Sequence, residues 1–115
     1  MSDNRKLNIL GTEYEVIYTT DTDSPDLKDC DGYCASYDKH ILVETKLFQD
    51  SKRPREELTH AMQEHTKFIL RHEIIHAFCT ESGIERSALN EEWAVNWMAK
   101  QLPKMLKVFQ EVDAI

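Results

Sequence analysis

The sequence lacks a long apolar run. No stretch approaches the roughly 18 apolar residues that a bilayer-spanning helix needs, so we expect no membrane partner. The first residues also lack an apolar segment as long as a secretory signal requires, which predicts a cytoplasmic protein. Hydrophobic content of 41% beside 30% charged residues is typical of a soluble globular chain. A length of 115 residues predicts a single domain spanning residues 1–115.

Basic residues are scarce relative to acidic ones, at 14 against 21, which gives a formal net charge of −7. Nucleic-acid-binding proteins usually present a basic surface to the phosphate backbone, so we expect no nucleic-acid partner. The short basic run at residues 52–55 is interpreted as the solvated start of a helix. The sequence carries no signal for a particular oligomeric state.

Cysteine is also scarce, with only Cys30, Cys34 and Cys79 present. An odd number of cysteines without an export signal predicts reduced thiols rather than structural disulfides. No second Cys/His pair lies beside Cys30 and Cys34, so we interpret them as thiols in or near a strand and not as a zinc site. Cys79 is expected to pack as a small hydrophobic residue.

The first 45 residues have the pattern of two β-hairpins. Apolar residues alternate in segments 7–9 and 14–18 around a turn at Gly11, and segments 32–37 and 40–44 flank Asp38 and Lys39. An acidic loop at residues 19–31 separates the hairpins, and it lacks the spacing of a calcium-binding loop. Short connections favour antiparallel pairing, so we expect a small antiparallel sheet.

The rest of the chain is predicted to be helical. No glycine or proline occurs between Pro54 and Gly83, which predicts one helix of about 25 to 28 residues, capped by Asp50 or Ser51 and closed at Gly83. A second helix starts within residues 85–90 and should end or kink before Pro103, which has no backbone N–H to donate. A final short helix is expected at residues 105–112. The predicted fold class is therefore α+β.

The first long helix contains the run His72-Glu73-Ile74-Ile75-His76. Histidines four residues apart lie on one helix face, so both imidazoles can reach a single metal ion. Glu73 projects beside them, close enough to hydrogen-bond a water molecule at that ion. A catalytic zinc site uses three protein ligands and leaves one position for water, so a third ligand is needed.

Two adjacent glutamates at the start of the second helix are candidates for this third ligand. Glu91 and Glu92 lie about 100° apart on the helix, so only one of them can face the histidines. Asn96 follows Glu92 by four residues and shares its face, where it can accept the free N–H of a ligand histidine. This placement favours Glu92, with Glu91 as the alternative.

The two motifs together resemble the gluzincin metallopeptidases, most closely the small ImmA/IrrE-like and phage-encoded zincin-like proteins, over roughly residues 68–103. The thermolysin-like pattern Asn-Glu-x-x-Ser-Asp fits Glu92 and Asn96 by its Glu-to-Asp spacing. The ImmA/IrrE-like pattern Glu-x-x-Ala-Asn-x-x-Ala also selects Glu92, with Val95 in place of its first alanine. The aminopeptidase-like pattern Asn-Glu-Gly-Phe-Ala resembles residues 90–94 and selects Glu91 instead.

This resemblance implies a minimal zincin-like fold and zinc-dependent peptide hydrolysis. One Zn²⁺ would be held by His72, His76 and Glu92. Glu73 would act as general base on the zinc-bound water and then protonate the leaving amine. The substrate, expected to be a cytoplasmic regulatory protein in a phage or prophage setting, would lie along the sheet edge, which we predict to be segment 40–44.

Larger gluzincins stabilise the oxyanion with a downstream His or Tyr. No histidine follows His76 here, which leaves Tyr33 or Tyr37 from the hairpin as candidates or as ordinary sheet aromatics. One alternative function is a catalytically silent, zinc-stabilised module that docks a protein partner near Trp93 and Trp97. Another is a purely structural helical protein that binds no metal.

Overall fold

The computed structural model describes residues 5–44 and 55–115, with side chains from residue 60 onward in the second range. The predicted caps and the start of the basic run fall outside the described residues. The α+β class is confirmed. The described residues form four strands and two long helices in the order β1 (Arg5–Ile9), β2 (Thr12–Thr19), β3 (Gly32–Ala35), β4 (His40–Glu44), α1 (Arg55–Glu81) and α2 (Glu92–Glu111). Short 3₁₀ turns span Pro25–Leu27 and Ala88–Asn90. None of the described helices has the length and apolar character needed to cross a bilayer.

The sheet is mixed, with strand order β1-β2-β4-β3. Both predicted hairpins are present, because β1 pairs antiparallel with β2 and β3 pairs antiparallel with β4. The prediction of a wholly antiparallel sheet is wrong, since β2 and β4 pair in parallel. The path from β2 to β4 includes the acidic loop and all of β3, so it exceeds the dozen residues that a parallel pairing needs.

Strand β4 lies inside the sheet, so its prediction as an edge strand is also wrong. Ile41, Leu42, Val43 and Glu44 are all buried. Consecutive burial on both faces is typical of an interior strand with a parallel neighbour, whereas an edge strand usually alternates. Among the described strands the edges are β1 and β3.

Helix α1 lies between the sheet and α2. It contacts β1, β3 and β4 on one side and α2 on the other. The core between sheet and helix consists of Ile9, Tyr14, Val16, Ile41, Val43 and Ala77. The helix ends as the sequence predicts, because Gly83 adopts φ 82° and the Ile84 N–H donates to the Cys79 carbonyl at 2.9 Å.

The C-terminal end of α1 is tied to the sheet by Glu81. Its carboxylate accepts hydrogen bonds from Thr12 Oγ1 at 2.8 Å, from the Tyr14 hydroxyl at 2.7 Å and from Lys39 Nζ at 2.8 Å. The Lys39 bond first, and then the bonds from Tyr14 and Thr12, lower the pKa of Glu81 to about 2. Burial raises the pKa of Tyr14, which keeps its hydroxyl a proton donor.

Helix α2 continues through Pro103, so the predicted break and the separate final helix are wrong. Proline at this position has no N–H for the carbonyl of Ala99, four residues earlier. Arg71 Nε on α1 donates to that carbonyl at 2.7 Å. An inter-helix hydrogen bond thus replaces the missing intrahelical one and joins α2 to α1 one residue before His72.

Candidate metal centre

Helix α1 presents His72 and His76 one turn apart. Their rings meet edge to face, with centroids 4.8 Å apart and an interplanar angle of 69°. The two Nε2 atoms lie 3.2 Å from each other, so both rings point to one location. His72 is buried and His76 is half-buried.

Glu92, the first residue of α2, completes the group. Its Oε1 lies 3.1 Å from His72 Nε2 and its Oε2 lies 2.6 Å from His76 Nε2. One ligand atom from each of the three residues falls within 4.8 Å of the others. The carboxylate of Glu91 instead accepts the Trp93 indole N–H at 2.8 Å, so of the two candidates it is Glu92 that lies at the histidines.

Two asparagines orient the histidine rings. Asn90 Nδ2 donates to the Glu85 carbonyl at 3.0 Å, which leaves Asn90 Oδ1 to accept the Nδ1–H of His76 at 2.6 Å. His76 Nδ1 therefore carries a proton, and Nε2 is the ring nitrogen that faces Glu92. Asn96 hydrogen-bonds His72, as its position one turn after Glu92 predicts.

The arrangement fits a metal ion on electrostatic and geometric grounds. Burial lowers the pKa of His72, which favours its neutral ring. His76 Nε2 and the Glu92 carboxylate lie at ion-pair distance, so imidazole and carboxylate atoms face the same point. Zinc–ligand distances of about 2.0–2.2 Å give tetrahedral edges of about 3.3–3.6 Å. Two of the spacings, 3.1 and 3.2 Å, are slightly shorter than this length, and the 2.6 Å contact of Glu92 Oε2 would have to lengthen around an ion. His72, His76 and Glu92 thus form a group that could hold a metal ion.

Glu73 is buried beside this group, with Oε2 3.9 Å from His72 Nε2. Burial raises the pKa of Glu73 to about 7; the charge of His76 lowers it and the charge of Glu92 raises it further. A carboxyl group with such a pKa can accept and release a proton near neutral pH. Glu73 is therefore a buried carboxyl group beside His72 that can exchange a proton near neutral pH.

A cleft of about 360 Å³ separates β3 from His76 and the start of α2. Its lining includes Glu73, His76 and Glu92 together with residues of the strand. Gly32 allows β3 to approach α1 closely, because a Cβ there would lie 2.5 Å from Ile69 Cγ2 and 3.0 Å from Glu73 Oε2. Sequence reasoning missed this role, although a glycine within a strand is a signal for close approach.

Other side chains of β3 and its surroundings also line the cleft. Tyr33 does so, whereas Tyr37 is fully exposed and does not. Cys30 and Cys34 line it as free thiols, as expected, and burial raises the pKa of Cys34 to about 12. Among the residues described, no cysteine joins a group with the spacing of metal ligands.

Other histidines, and the glutamate at the end of α1, lie away from His72 and His76. His65 Nε2 is 3.3 Å from the Asp31 carboxylate, and His40 Nε2 is 4.0 Å from that of Glu15. The Glu81 carboxylate accepts its hydrogen bonds from Thr12, Tyr14 and Lys39 at the sheet.

Comparisons with protein-family models, with curated proteins and with solved structures found no match to this chain.

Proposed function

We propose that this protein is a zinc-dependent metallopeptidase. The observation that carries the proposal is the convergence of two histidine ring nitrogens and the Glu92 carboxylate beside buried Glu73, along one open cleft. His72, His76 and Glu92 would hold the ion, and two imidazoles with one carboxylate form a donor set that suits Zn²⁺. Bound there, zinc would lower the pKa of a water molecule and polarise the carbonyl group of the substrate.

The protein's own residues move the proton in this hydrolysis. The oxygen of water bonds to the carbonyl carbon while Glu73 accepts the proton that the water loses. The C–N bond then breaks, and Glu73 passes that proton to the leaving amine nitrogen. Glu73 ends in its starting state, so one water molecule and one peptide bond are consumed per turnover.

The substrate of the proposed reaction lies along β3 rather than β4. β3 is an edge strand and its residues line the cleft beside Glu73, so an extended peptide can add to its free backbone groups. Tyr33 lines the cleft, and it would then be the hairpin tyrosine that donates a hydrogen bond to a developing oxyanion. We retain a cytoplasmic regulatory protein as the expected substrate.

A variant at Glu73 tests this function. The zinc-loaded wild-type protein should cleave members of a peptide mixture prepared from a proteome digest, with the products identified by mass spectrometry. Glu73→Gln should keep its zinc and lose about 10²- to 10⁴-fold in rate, because the general base is gone. Glu91→Gln is the matched control, since it changes a neighbouring carboxylate outside the site, and it should cleave normally.

The same experiment decides for or against a second candidate function, a zinc-stabilised binding module that cuts nothing. Trp93 and Trp97 favour it, because they lie one turn apart on α2 and remain 67% and 55% exposed. Exposed tryptophans are typical of protein-binding surfaces. Zinc-loaded wild type that cleaves no peptide, or Glu73→Gln that cleaves as fast as wild type, would contradict the peptidase proposal.

A further inference from the structure

An apolar groove lies apart from the cleft and shares none of its lining residues. We call it the α1–α2 groove, since α1, α2, the β1–β2 turn and the connection between the helices form it. Its volume is about 450 Å³. Its lining is almost wholly apolar and includes Leu10, Ile75, Phe78, Ile84, Leu89 and Leu102.

Leu10 is an unusual residue for its position in this groove. It is 59% exposed at the first central position of the β1–β2 turn and has φ 52°, and Gly11 follows with φ 94°. Such a turn favours Asn-Gly, because asparagine tolerates positive φ far better than leucine does. Neither solvation nor backbone conformation therefore explains leucine here, whereas its place in the apolar lining of the groove does.

The second half of α2 carries an apolar stripe that begins at the groove. Leu102, Met105, Leu106 and Phe109 recur at helical spacing, and we call them the α2 stripe. Leu102 belongs to both the stripe and the groove. Leu106 and Phe109 are 43% and 39% exposed, although this spacing is that of a helix face that packs against a partner.

Charge distinguishes the stripe from the rest of the molecule. Residues 98–110 carry Lys100, Lys104 and Lys107 and no acidic residue. The rest of the chain has 11 basic residues against 21 acidic ones, so it is strongly acidic. Residues 81–92, which include the connection between the helices at the groove, carry four glutamates and one arginine. Arg71, the charged residue in the groove lining, donates to the Ala99 carbonyl. The last turn of α1 contains no basic residue to offset its negative helix end.

We propose that a second copy of this chain covers the α1–α2 groove, with the α2 stripe of each copy lying in the groove of the other. A two-fold dimer requires one self-complementary surface on each copy. The α2 stripe and the α1–α2 groove form one continuous surface, because Leu102 belongs to both. The apolar stripe then fills the apolar groove, while Lys104 and Lys107 face the acidic surface of the partner. The metal cleft stays open, since none of its lining residues takes part.

Sedimentation velocity on the full-length, zinc-loaded protein tests this interface. Wild type should form dimers as its concentration rises. Phe109→Asp should raise the dimer dissociation constant by about 100-fold or more, because it places a charge at both symmetric copies of an apolar contact. Val108→Asp is the matched control, being adjacent, apolar and exposed but off the stripe, and it should dimerise like wild type.

Leu10→Asn tests the same interface without adding charge and without risk to the core. This substitution should raise the thermal midpoint of the monomer, because the turn gains its preferred residue, and should weaken dimerisation about tenfold or more. Monomeric wild type at 100 μM or above overturns the proposal, as does a dimer that both variants leave intact. Binding of the stripe to anionic lipid vesicles by monomeric protein would overturn it in favour of a membrane surface.

Discussion

Asn90 determines which nitrogen of His76 faces Glu92. Its amide nitrogen is committed to the Glu85 carbonyl, so its oxygen must accept from His76 Nδ1. A ring free to take the other tautomer would point a proton toward the carboxylate and would need to lose it before binding a metal. The orientation of one amide thus prepares the His76 ring for an ion.

Asn90→Ala should therefore weaken zinc binding about 10- to 100-fold, because the ring loses the partner that holds its tautomer and orientation. Competition with a chromophoric chelator measures this affinity. Asn90→Asp keeps an acceptor at the same place and should recover most of the loss. Equal zinc affinity for wild type and Asn90→Ala would contradict this role.

At the residue scale, local spacing predicted much of the site. The four-residue separation of His72 and His76 fixes their common face because a helix has a regular turn. The same helical spacing favoured Glu92 as the third ligand, because Asn96 lies four residues later on the same face. Gly32 and the contact of Asn90 with His76 were not predicted, since each depends on how one element approaches another and not on spacing within an element.

At the scale of elements, Arg71 and Pro103 act together. Pro103 deprives the buried Ala99 of an intrahelical partner for its carbonyl, and Arg71 supplies one from α1. The donor of this bond, Arg71, lies next to His72 along the chain. The bond therefore helps to hold α2, which carries Glu92, against the part of α1 that carries the histidines. A proline that sequence reasoning takes for a helix end becomes a point of attachment.

Arg71→Ala should lower the free energy of unfolding by about 1–3 kcal/mol, the cost of leaving a buried acceptor without a donor. In a Pro103→Ala background the helix supplies its own N–H, so the same Arg71 substitution should cost clearly less. Urea unfolding of the four proteins in this double-mutant cycle measures the coupling. Equal costs in the two backgrounds would show that the bond does not compensate for the proline.

The sheet shows why element order was harder to predict than element identity. Both hairpins follow from alternating apolar residues and turn residues, which are local signals. The insertion of β4 between β2 and β3 follows from its continuous burial, and the run Ile41-Leu42-Val43 does signal a strand covered on both faces. Its parallel partner cannot be identified without the rest of the sheet.

At the scale of the whole molecule, Glu81 joins residues far apart in the chain. Thr12 and Tyr14 in β2 and Lys39 in the β3–β4 turn all donate to this one carboxylate at the end of α1. The sheet and α1, the helix that carries His72 and His76, are therefore held together partly by a charge. A stability that depends on an ionised carboxylate must decrease in acid.

The pKa of Glu81 in the folded protein, about 2, lies below the value of about 4.3 that glutamate has when unfolded. Its stabilisation is therefore complete above about pH 5 and is lost as the pH falls toward 2. Glu81→Gln should be less stable than wild type at pH 7 and should lose less stability between pH 5 and 2. Thermal unfolding across that range measures both effects, and parallel pH profiles for the two proteins would contradict them. Tyr14→Phe removes one donor and should change the profile in the same direction by less.

Zinc titration of three proteins tests the proposed metal centre most directly. Isothermal titration calorimetry of metal-free wild type, Glu92→Gln and Glu91→Gln compares adjacent carboxylates that differ in whether they meet the histidines. We predict one zinc ion per chain for wild type and Glu91→Gln, and a loss of at least about tenfold in affinity for Glu92→Gln, which keeps two of three ligands. No stoichiometric zinc in wild type, or equal affinity in all three proteins, would contradict a site formed by His72, His76 and Glu92.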